Sequence, residues 1–391
     1  MRIGIAISLI GLLAASAGAA AGPKPPALGE RVELLKLPKD KVPGVTWAFP
    51  LVRISPKGDR CVYIRRTGAP YKTMLQIRTF GPPVAEHAVL AATPSSPRCW
   101  LMALSGQCWR ADSLQVAYLV ADPKEESKDV PAHRRLGVAV FDWSLPRPRQ
   151  SGGGAAPGSR LTATAVTFGP AGKGLWRAES DLEKYASCRV IGPGGVAYKS
   201  AGFAIYHLAP SPDGRRLAWV EQSPTWRRKS AVVVMDLKSR KVVRRVELHR
   251  HGGGPLVWAA GGKTLCYPDL VRVDRIYRSE IRALGLADGK TRLIARDAKA
   301  LGALGDRLLA NRGPACMPAM QFASSSAPRP GLDPRPRRNE IILLDLTKDS
   351  EPVCLAPGAF AQQLIGRDLI YAEANGPDVI IWRAPILTEA E

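Results

Sequence analysis

The chain alternates short apolar runs with polar turns at a regular spacing. Residues 207–248 show this most clearly, because four strand-like runs with alternating apolar and polar positions are separated by turn residues. The first turn, SPDG, has Pro where a fixed φ is required and Gly where φ can be positive. Four antiparallel strands in about 40 residues correspond to one blade of a β-propeller.

The same unit recurs along most of the chain. Recognisable units cover residues 51–80, 110–143, 207–248, 256–295, 299–355 and 363–386. Residues 160–206 fit the pattern less well and predict one degenerate blade, with a short helical turn at 178–186. We therefore predict an all-β fold, a single β-propeller of seven blades with four antiparallel strands each, and six blades as the alternative.

The final unit supplies three strands. Residues 31–37, RVELLKL, predict a further strand that completes this blade and closes the ring. The predicted organisation is a signal peptide at 1–21, an N-terminal segment with the closing strand at 22–45, and the propeller at 46–391. Three inserts, rich in charged residues or in Pro, Gly and Arg, predict loops at 121–135, 144–160 and 321–338.

The first 21 residues have the layout of a secretory signal peptide. Arg2 precedes an apolar run from Ile3 to Leu13, and small residues that suit cleavage near Ala21 follow. The apolar run is shorter than the roughly 20 residues that span a bilayer. We expect a periplasmic or secreted protein without stable insertion into a membrane.

The repeat resembles the TolB-like, WD40-like (PD40) propeller family. The matching segments are SPDGRRLAWVEQ with SAVVVMDL, SPKGDRCVYIRR at 55–66, and AGGKTLCYP with EIRALGLADGKTRLI. Related propellers occur in periplasmic scaffolds, in the non-catalytic half of prolyl-oligopeptidase-like peptidases and in some pectin-fragment lyases. We expect this chain to lack the additional α/β domains of TolB and of those peptidases, and the resemblance transfers no site residues.

Sequence motifs for catalysis or for metal binding are absent. The chain has no G-x-S-x-G, S-x-x-K, H-E-x-x-H, P-loop or dinucleotide fingerprint. It has seven cysteines but no C-x-x-C pair, so neither a cofactor nor a metal site is expected. Cys61, Cys266 and Cys354 lie in apolar runs and predict buried thiols.

Few histidines and carboxylates stand out as candidate site residues. His207 precedes a strand-turn unit and is the candidate for lining the central channel. His249 and His251 run into glycines 252–254, which favours a solvated loop. The turn carboxylates are expected to bond local backbone, and they are Asp213, Asp236, Asp288 and Asp345. The tryptophans expected in the core between blades are Trp219, Trp258 and Trp382.

Positive charge is the strongest remaining signal. The chain has 56 Lys and Arg against 34 Asp and Glu, a net charge of +22. Such a surface attracts polyanions in a salt-dependent manner. The partner-binding candidates are an aromatic residue and cations of the region 226–245, namely Trp226, Arg227, Arg228, Lys229, Arg244 and Arg245. The alternative is an Arg-rich composition that is spread over solvated faces.

These observations predict an exported, non-catalytic propeller that acts as a binding or scaffolding module. Its expected partner is a protein or an acidic polysaccharide of the cell envelope, and export argues against nucleic acid. The alternative is a carbohydrate-active lyase or hydrolase that acts on acidic glycans in the central channel. The oligomeric state and the identity of the partner stay open.

Overall fold

The computed structural model describes fifteen stretches of the chain and shows an all-β protein. They are residues 26–38, 52–67, 72–80, 86–92, 108–121, 136–144, 149–152, 161–169, 174–182, 184, 186–223, 229–250, 254–273, 276–313 and 339–387. Within these residues there is no α-helix, and Ala260–Gly262 form a short 3-10 turn.

The strands form seven antiparallel sheets, numbered here in chain order. The N-terminal strands are β1 (Ala27–Leu28) and β2 (Val32–Pro38). Sheet 1 contains β3 (Val52–Ile54), β4 (Arg60–Thr67), β5 (Lys72–Thr79) and β6 (Glu86–Ala92). Sheet 2 contains β7 (Gln115–Ala121), β8 (Leu136–Asp142) and β9 (Arg149–Gly152). Sheet 3 contains β10 (Thr162–Phe168), β11 (Leu175–Ser180), β12 (Cys188–Gly192) and β13 (Gly195–Ser200).

The second half of the chain repeats this plan. Sheet 4 contains β14 (Ala204–Pro210), β15 (Arg216–Gln222), β16 (Ala231–Asp236) and β17 (Val242–Glu247). Sheet 5 contains β18 (Val257–Ala259), β19 (Thr264–Val273), β20 (Ile276–Gly285) and β21 (Thr291–Arg296). Sheet 6 contains β22 (Ala298–Leu304), β23 (Arg307–Arg312), β24 (Glu340–Asp345) and β25 (Val353–Pro357). Sheet 7 contains β26 (Phe360–Ile365), β27 (Asp368–Asn375) and β28 (Asp378–Leu387), together with β1 and β2.

The blade number depends on how sheet 2 is counted. Six sheets have four strands or more and are complete blades. Sheet 2 has three strands, and a bridge between Trp109 and Val116 stands where the other sheets have their innermost strand. The ring therefore has six complete blades, or seven if the reduced sheet 2 is counted as a blade.

The N-terminal strand closes the ring, as predicted. Strand β2 pairs antiparallel with β28, from Val32 opposite Arg383 to Pro38 opposite Asp378. Strand β1 extends the same edge, where Ala27 lies opposite Leu387. The two ends of the chain thus form one sheet, so the ring is held shut by backbone hydrogen bonds.

Apolar packing joins the sheets in sequence around the ring. Each of seven clusters in the described residues combines side chains from two neighbouring sheets. The closing cluster packs Leu35 and Leu37 of β2 against Val52 and Ile54 of sheet 1. Trp219 and Trp258 are buried between sheets, and Trp382 is partly buried against the cluster between sheets 6 and 7.

Polar side chains tie neighbouring inner strands together. The Trp258 indole donates to the Ala209 carbonyl at 2.9 Å, and the Trp109 indole donates to the Arg53 carbonyl at 3.0 Å. The Asn311 amide donates to the Ala361 carbonyl at 2.9 Å and accepts from its N–H at 2.7 Å. These bonds satisfy buried backbone groups and fix the position of each sheet relative to the next.

The structure corrects the predictions for residues 160–206. Sheet 3 is a complete four-stranded sheet, and β11 occupies the start of the predicted helical turn. Its buried positions carry Ala178 and Ser180, so the second half of the strand lacks an apolar signal. Within the predicted insert 144–160, Arg149–Gly152 form β9, and the other predicted inserts lie almost entirely outside the described residues.

The predicted burial of the thiols is confirmed at two positions and wrong at one. Cys61 and Cys266 are fully buried, whereas Cys354 is exposed. Cys354 lies on β25, the outermost strand of sheet 6, where one face is open to solvent.

The ring closure predicts a large loss of stability in Leu35→Ala. The Leu35 side chain is 3% exposed between sheets 7 and 1, so truncation leaves a cavity and costs about 2–5 kcal/mol. The free energy of unfolding from denaturant titration measures this loss.

Val32→Ala is the matched control, because Val32 lies on the same strand and is 57% exposed. We expect its effect to stay within about 0.5 kcal/mol. Equal losses in the two variants would contradict the role of β2 in closing the ring.

Candidate binding surfaces

The ring has two ends that differ in their connections. Because consecutive strands are antiparallel, the links between first and second and between third and fourth strands lie at one end, called here the turn end. The other links lie at the opposite end, called here the long end.

The turn end of sheets 4 and 5 carries a group of unpaired cations. Seven exposed Lys and Arg side chains lie on or beside the turns of these two sheets. Among the described residues, none of the seven forms an ion pair. This group, called here the basic turn surface, consists of Arg215, Lys238, Arg240, Lys241, Lys263, Lys290 and Arg292.

The carboxylates of these turns point back to their own backbone, as predicted. Asp213 accepts the Arg215 N–H at 3.0 Å, and Asp236 accepts the Ser239 N–H at 2.8 Å. Asp288 accepts the Lys290 N–H at 3.0 Å. The acidic groups are thus occupied as turn caps, while the cations extend into solvent.

At the long end of sheet 4, cations are paired with carboxylates. Lys229 Nζ lies 2.7 Å from Glu247, with both side chains well exposed. Arg245 lies 2.5 Å from Glu221, whose side chain is fully buried. The Tyr198 hydroxyl donates to the same carboxylate at 2.5 Å, and burial together with this bond raises the pKa of Tyr198 to about 12.

Sheet 5 repeats this pairing at its long end. The buried carboxylate of Glu280 accepts from Arg282 at 2.8 Å and from Arg296 at 3.3 Å. Asp269 is also buried and lies 3.5 Å from Arg282. Among the described residues, the long end of these sheets has Arg272 as an exposed cation without an ion pair, whereas the turn end has seven such cations, so the two ends differ in electrostatic character.

Sequence reasoning missed a contact of His249. Its Nδ1 lies 2.8 Å from the buried carboxylate of Asp269, which also accepts the His249 N–H at 3.0 Å. The imidazole is 61% exposed, so the carboxylate orients the ring and leaves the other nitrogen towards solvent. The loop interpretation is confirmed for His249, and His251 lies outside the described residues. Only the fold brings these two residues together, since they are twenty positions apart.

Of the six predicted partner-binding residues, Lys229, Arg244 and Arg245 lie in the described part of the chain. Trp226, Arg227 and Arg228 lie outside the described residues. Arg244 and Arg245 are adjacent on β17 and point to opposite faces of the strand. Arg244 donates to the Leu286 carbonyl of sheet 5 at 2.8 Å, whereas Arg245 pairs with Glu221 in its own sheet.

His207 lies on an innermost strand, where the sequence placed it. It falls in a bulge of β14, between Tyr206 and Ala209, and has a left-handed backbone with φ of 56°. Burial lowers its pKa to about 4, so the ring is neutral at physiological pH. A neutral imidazole can donate and accept hydrogen bonds but carries no positive charge.

In the part of the chain that the structure covers, no three His, Cys, Asp or Glu side chains are grouped to hold a metal ion. None of its helical segments has the length and apolar character to cross a bilayer.

Comparisons with known proteins give similarity at the level of fold. No family model matches the chain, and no curated protein matches it significantly. Solved structures that match include the propeller domain of the Trilobed protease from Pyrococcus furiosus, with 13% identity, a TM-score of 0.40, and coverage of 87% of this chain and 82% of that one.

Two further structures are similarly distant. TolB from Acinetobacter baumannii has 13% identity and a TM-score of 0.39, covering 84% of this chain and 79% of that one. The acylaminoacyl peptidase from Pyrococcus horikoshii has 13% identity and a TM-score of 0.42, covering 66% of this chain and 41% of that one. At these scores the similarity carries no argument about function, and the propeller follows from the sheets and their packing.

The turn carboxylates predict a loss of stability in acid. The Ser239 N–H lowers the pKa of Asp236, and the Thr347 hydroxyl lowers that of Asp345. A carboxyl with a folded pKa below its unfolded value stabilises above about pH 4 and loses this effect as pH falls through the folded pKa. We expect the unfolding midpoint to fall below about pH 4.

The double variant D236N/D345N keeps an oxygen acceptor at both caps and removes both titrations. Its unfolding midpoint should depend less steeply on pH in this range, as measured by thermal unfolding across pH. An acid profile that is superimposable on the wild type would rule out these two carboxylates as the source.

Proposed function

We propose that the protein is an exported, non-catalytic propeller that binds an acidic partner in the cell envelope. The partner is a protein or an acidic polysaccharide, and the basic turn surface of sheets 4 and 5 contacts it. Export rests on the signal-peptide layout of residues 1–21.

The observation that carries this proposal is the asymmetry between the two ends of the same sheets. At the long end, Lys229, Arg245 and Arg282 are matched by carboxylates within 3 Å. At the turn end, seven exposed cations of the described chain have no such match. Unmatched cations on a rigid frame attract a polyanion without reorganising the protein.

The backbone at Arg240 supports a role for its side chain. Its φ of 55° lies in the left-handed region, which Gly adopts without strain and Arg does not. The side chain is exposed, and its one hydrogen bond, to the Gly194 carbonyl, is long at 3.4 Å. A strained position occupied by an exposed cation is typical of functional sites.

The double variant R240E/K241E tests the proposal by charge reversal. We expect it to bind polygalacturonate or polyglutamate more weakly than the wild type, with the slope of log affinity against log salt reduced by about two. Titration at several salt concentrations measures both quantities, and the two probes distinguish a polysaccharide ligand from a polypeptide ligand.

K36E/K229E is the matched control at the long end. It changes the net charge equally, and both lysines are exposed and paired, with Asp378 and with Glu247. We expect it to keep most of the affinity. Equal loss in both double variants would indicate a net-charge effect and would contradict a located surface.

Arg240→Gly separates binding from stability. It relieves the left-handed strain, so we expect stability to be unchanged or higher by up to about 1 kcal/mol. Affinity for the acidic probe should fall at the same time. Unfolding titrations and binding assays on one preparation measure the stability and the affinity together. Unchanged affinity would count against Arg240 as a contact.

A second candidate function, an enzyme acting on acidic glycans, is favoured by the orientation of His249. Its imidazole is held by Asp269 beside Arg282, which is the arrangement of a general base near a cation that neutralises an acidic substrate. Release of new chain ends from polygalacturonate by the wild type, and its loss in His249→Ala, would support this candidate. If no new chain ends are released, the enzyme candidate is ruled out for this substrate and the binding module stays the proposed function.

A further inference from the structure

Arg53 is a partly buried cation on the innermost strand of sheet 1, and its Nε atom is fully buried. Its neighbours Val52 and Ile54 pack into the cluster between sheets 7 and 1, so the Arg53 side chain starts on the opposite face of β3. Its guanidinium nevertheless donates from Nη1 to the Gln362 carbonyl of sheet 7 at 2.8 Å. The side chain must therefore pass around the inner edge of β3, which faces the central channel.

The contacts of this guanidinium are all with uncharged groups. Nη1 also donates to the Val52 carbonyl at 3.0 Å. The described residues supply no acceptor for Nε, which is buried, or for Nη2. Burial lowers the pKa of Arg53. Within the described residues the titratable group that acts on it is the Cys108 thiol, which burial keeps protonated and neutral by raising its pKa to about 12.

Two other arginines that donate to a carbonyl of the next sheet also have a carboxylate nearby. Arg60 donates to the Ser113 carbonyl at 2.9 Å and has Asp59 at 3.1 Å. Arg216 donates to the Gly262 carbonyl at 3.2 Å and lies near Asp213 at 4.0 Å. Within the described chain, Arg53 lacks such a carboxylate, and a charge that is partly removed from water without a counter-charge is destabilising.

The surroundings of Arg53 are held in place from both sides. The Trp109 indole of sheet 2 donates to the Arg53 carbonyl at 3.0 Å. The Gln363 amide of sheet 7 accepts the Ile54 N–H at 2.7 Å and donates to the Ile54 carbonyl at 3.0 Å. The cation is thus presented from a fixed backbone, as binding sites for small charged groups require.

We propose that Arg53 binds a small oxyanion, a carboxylate or a phosphate group, in the central channel at the seam between sheets 7 and 1. The anion supplies the counter-charge that the described chain lacks and accepts from the guanidinium. This site is independent of the basic turn surface, because it uses a partly buried cation on a different pair of sheets.

Thermal unfolding of the full chain tests the proposal. The ionic strength is held constant with a bulky sulfonate, and phosphate or acetate is exchanged in as the probe. Binding to the native state alone raises Tm with increasing probe concentration. We expect a saturable rise with at least one probe, and the more effective probe identifies the class of oxyanion.

Three variants locate the effect. Arg53→Met should abolish the rise in Tm, whereas Arg216→Met, another arginine that donates to a neighbouring sheet, should retain it. R240E/K241E should also retain it, because its cations belong to the basic turn surface. An equal rise in Arg53→Met and the wild type, or no rise with either probe, would overturn the proposal.

Arg53→Lys keeps the test decisive if Arg53→Met fails to fold. This substitution preserves the positive charge and replaces the planar guanidinium by a compact ammonium group. We expect calorimetric titration to show weaker binding of the effective probe than in the wild type. Unchanged affinity would overturn the assignment of the guanidinium as the binding group.

Discussion

The pairing of β2 with β28 is the interaction on which the rest of the structure depends. Seven sheets packed side by side leave two faces exposed unless the last sheet packs against the first. Strand β2, which comes from the start of the chain, supplies the outer strand of sheet 7. Leu35 and Leu37 then complete the core against sheet 1. Since each sheet is positioned by its neighbours, closure fixes the relative placement of the turns around the whole ring.

The Lys and Arg side chains of the chain have different roles, some in holding the sheets together and some in the exposed surface. Some arginines donate to carbonyls of a neighbouring sheet, as Arg60 does to Ser113 and Arg244 to Leu286. Others are matched by buried carboxylates at the long end, such as Glu221 and Glu280. The cations of the basic turn surface serve neither use, so the net charge of +22 is a poor guide to where a partner binds.

Much of the fold was predictable because its signals are local. The turn SPDG and the alternation in RRLAWVEQ predict a hairpin, and β14 to β17 lie where residues 207–248 placed them, with β14 starting three residues earlier. Strand β11 escaped prediction because its buried positions are Ala178 and Ser180. The candidate surfaces depend on distant pairings, such as Arg245 with Glu221 and His249 with Asp269, which a linear run of cations cannot reveal.

Amide hydrogen exchange with and without a bound acidic polymer tests the central claim most directly. The account predicts that polygalacturonate or polyglutamate slows exchange in the turns of sheets 4 and 5, at residues 211–216, 237–241, 260–263 and 286–290. Protection confined to the long end of these sheets, or protection spread evenly around the ring, would contradict a located basic surface.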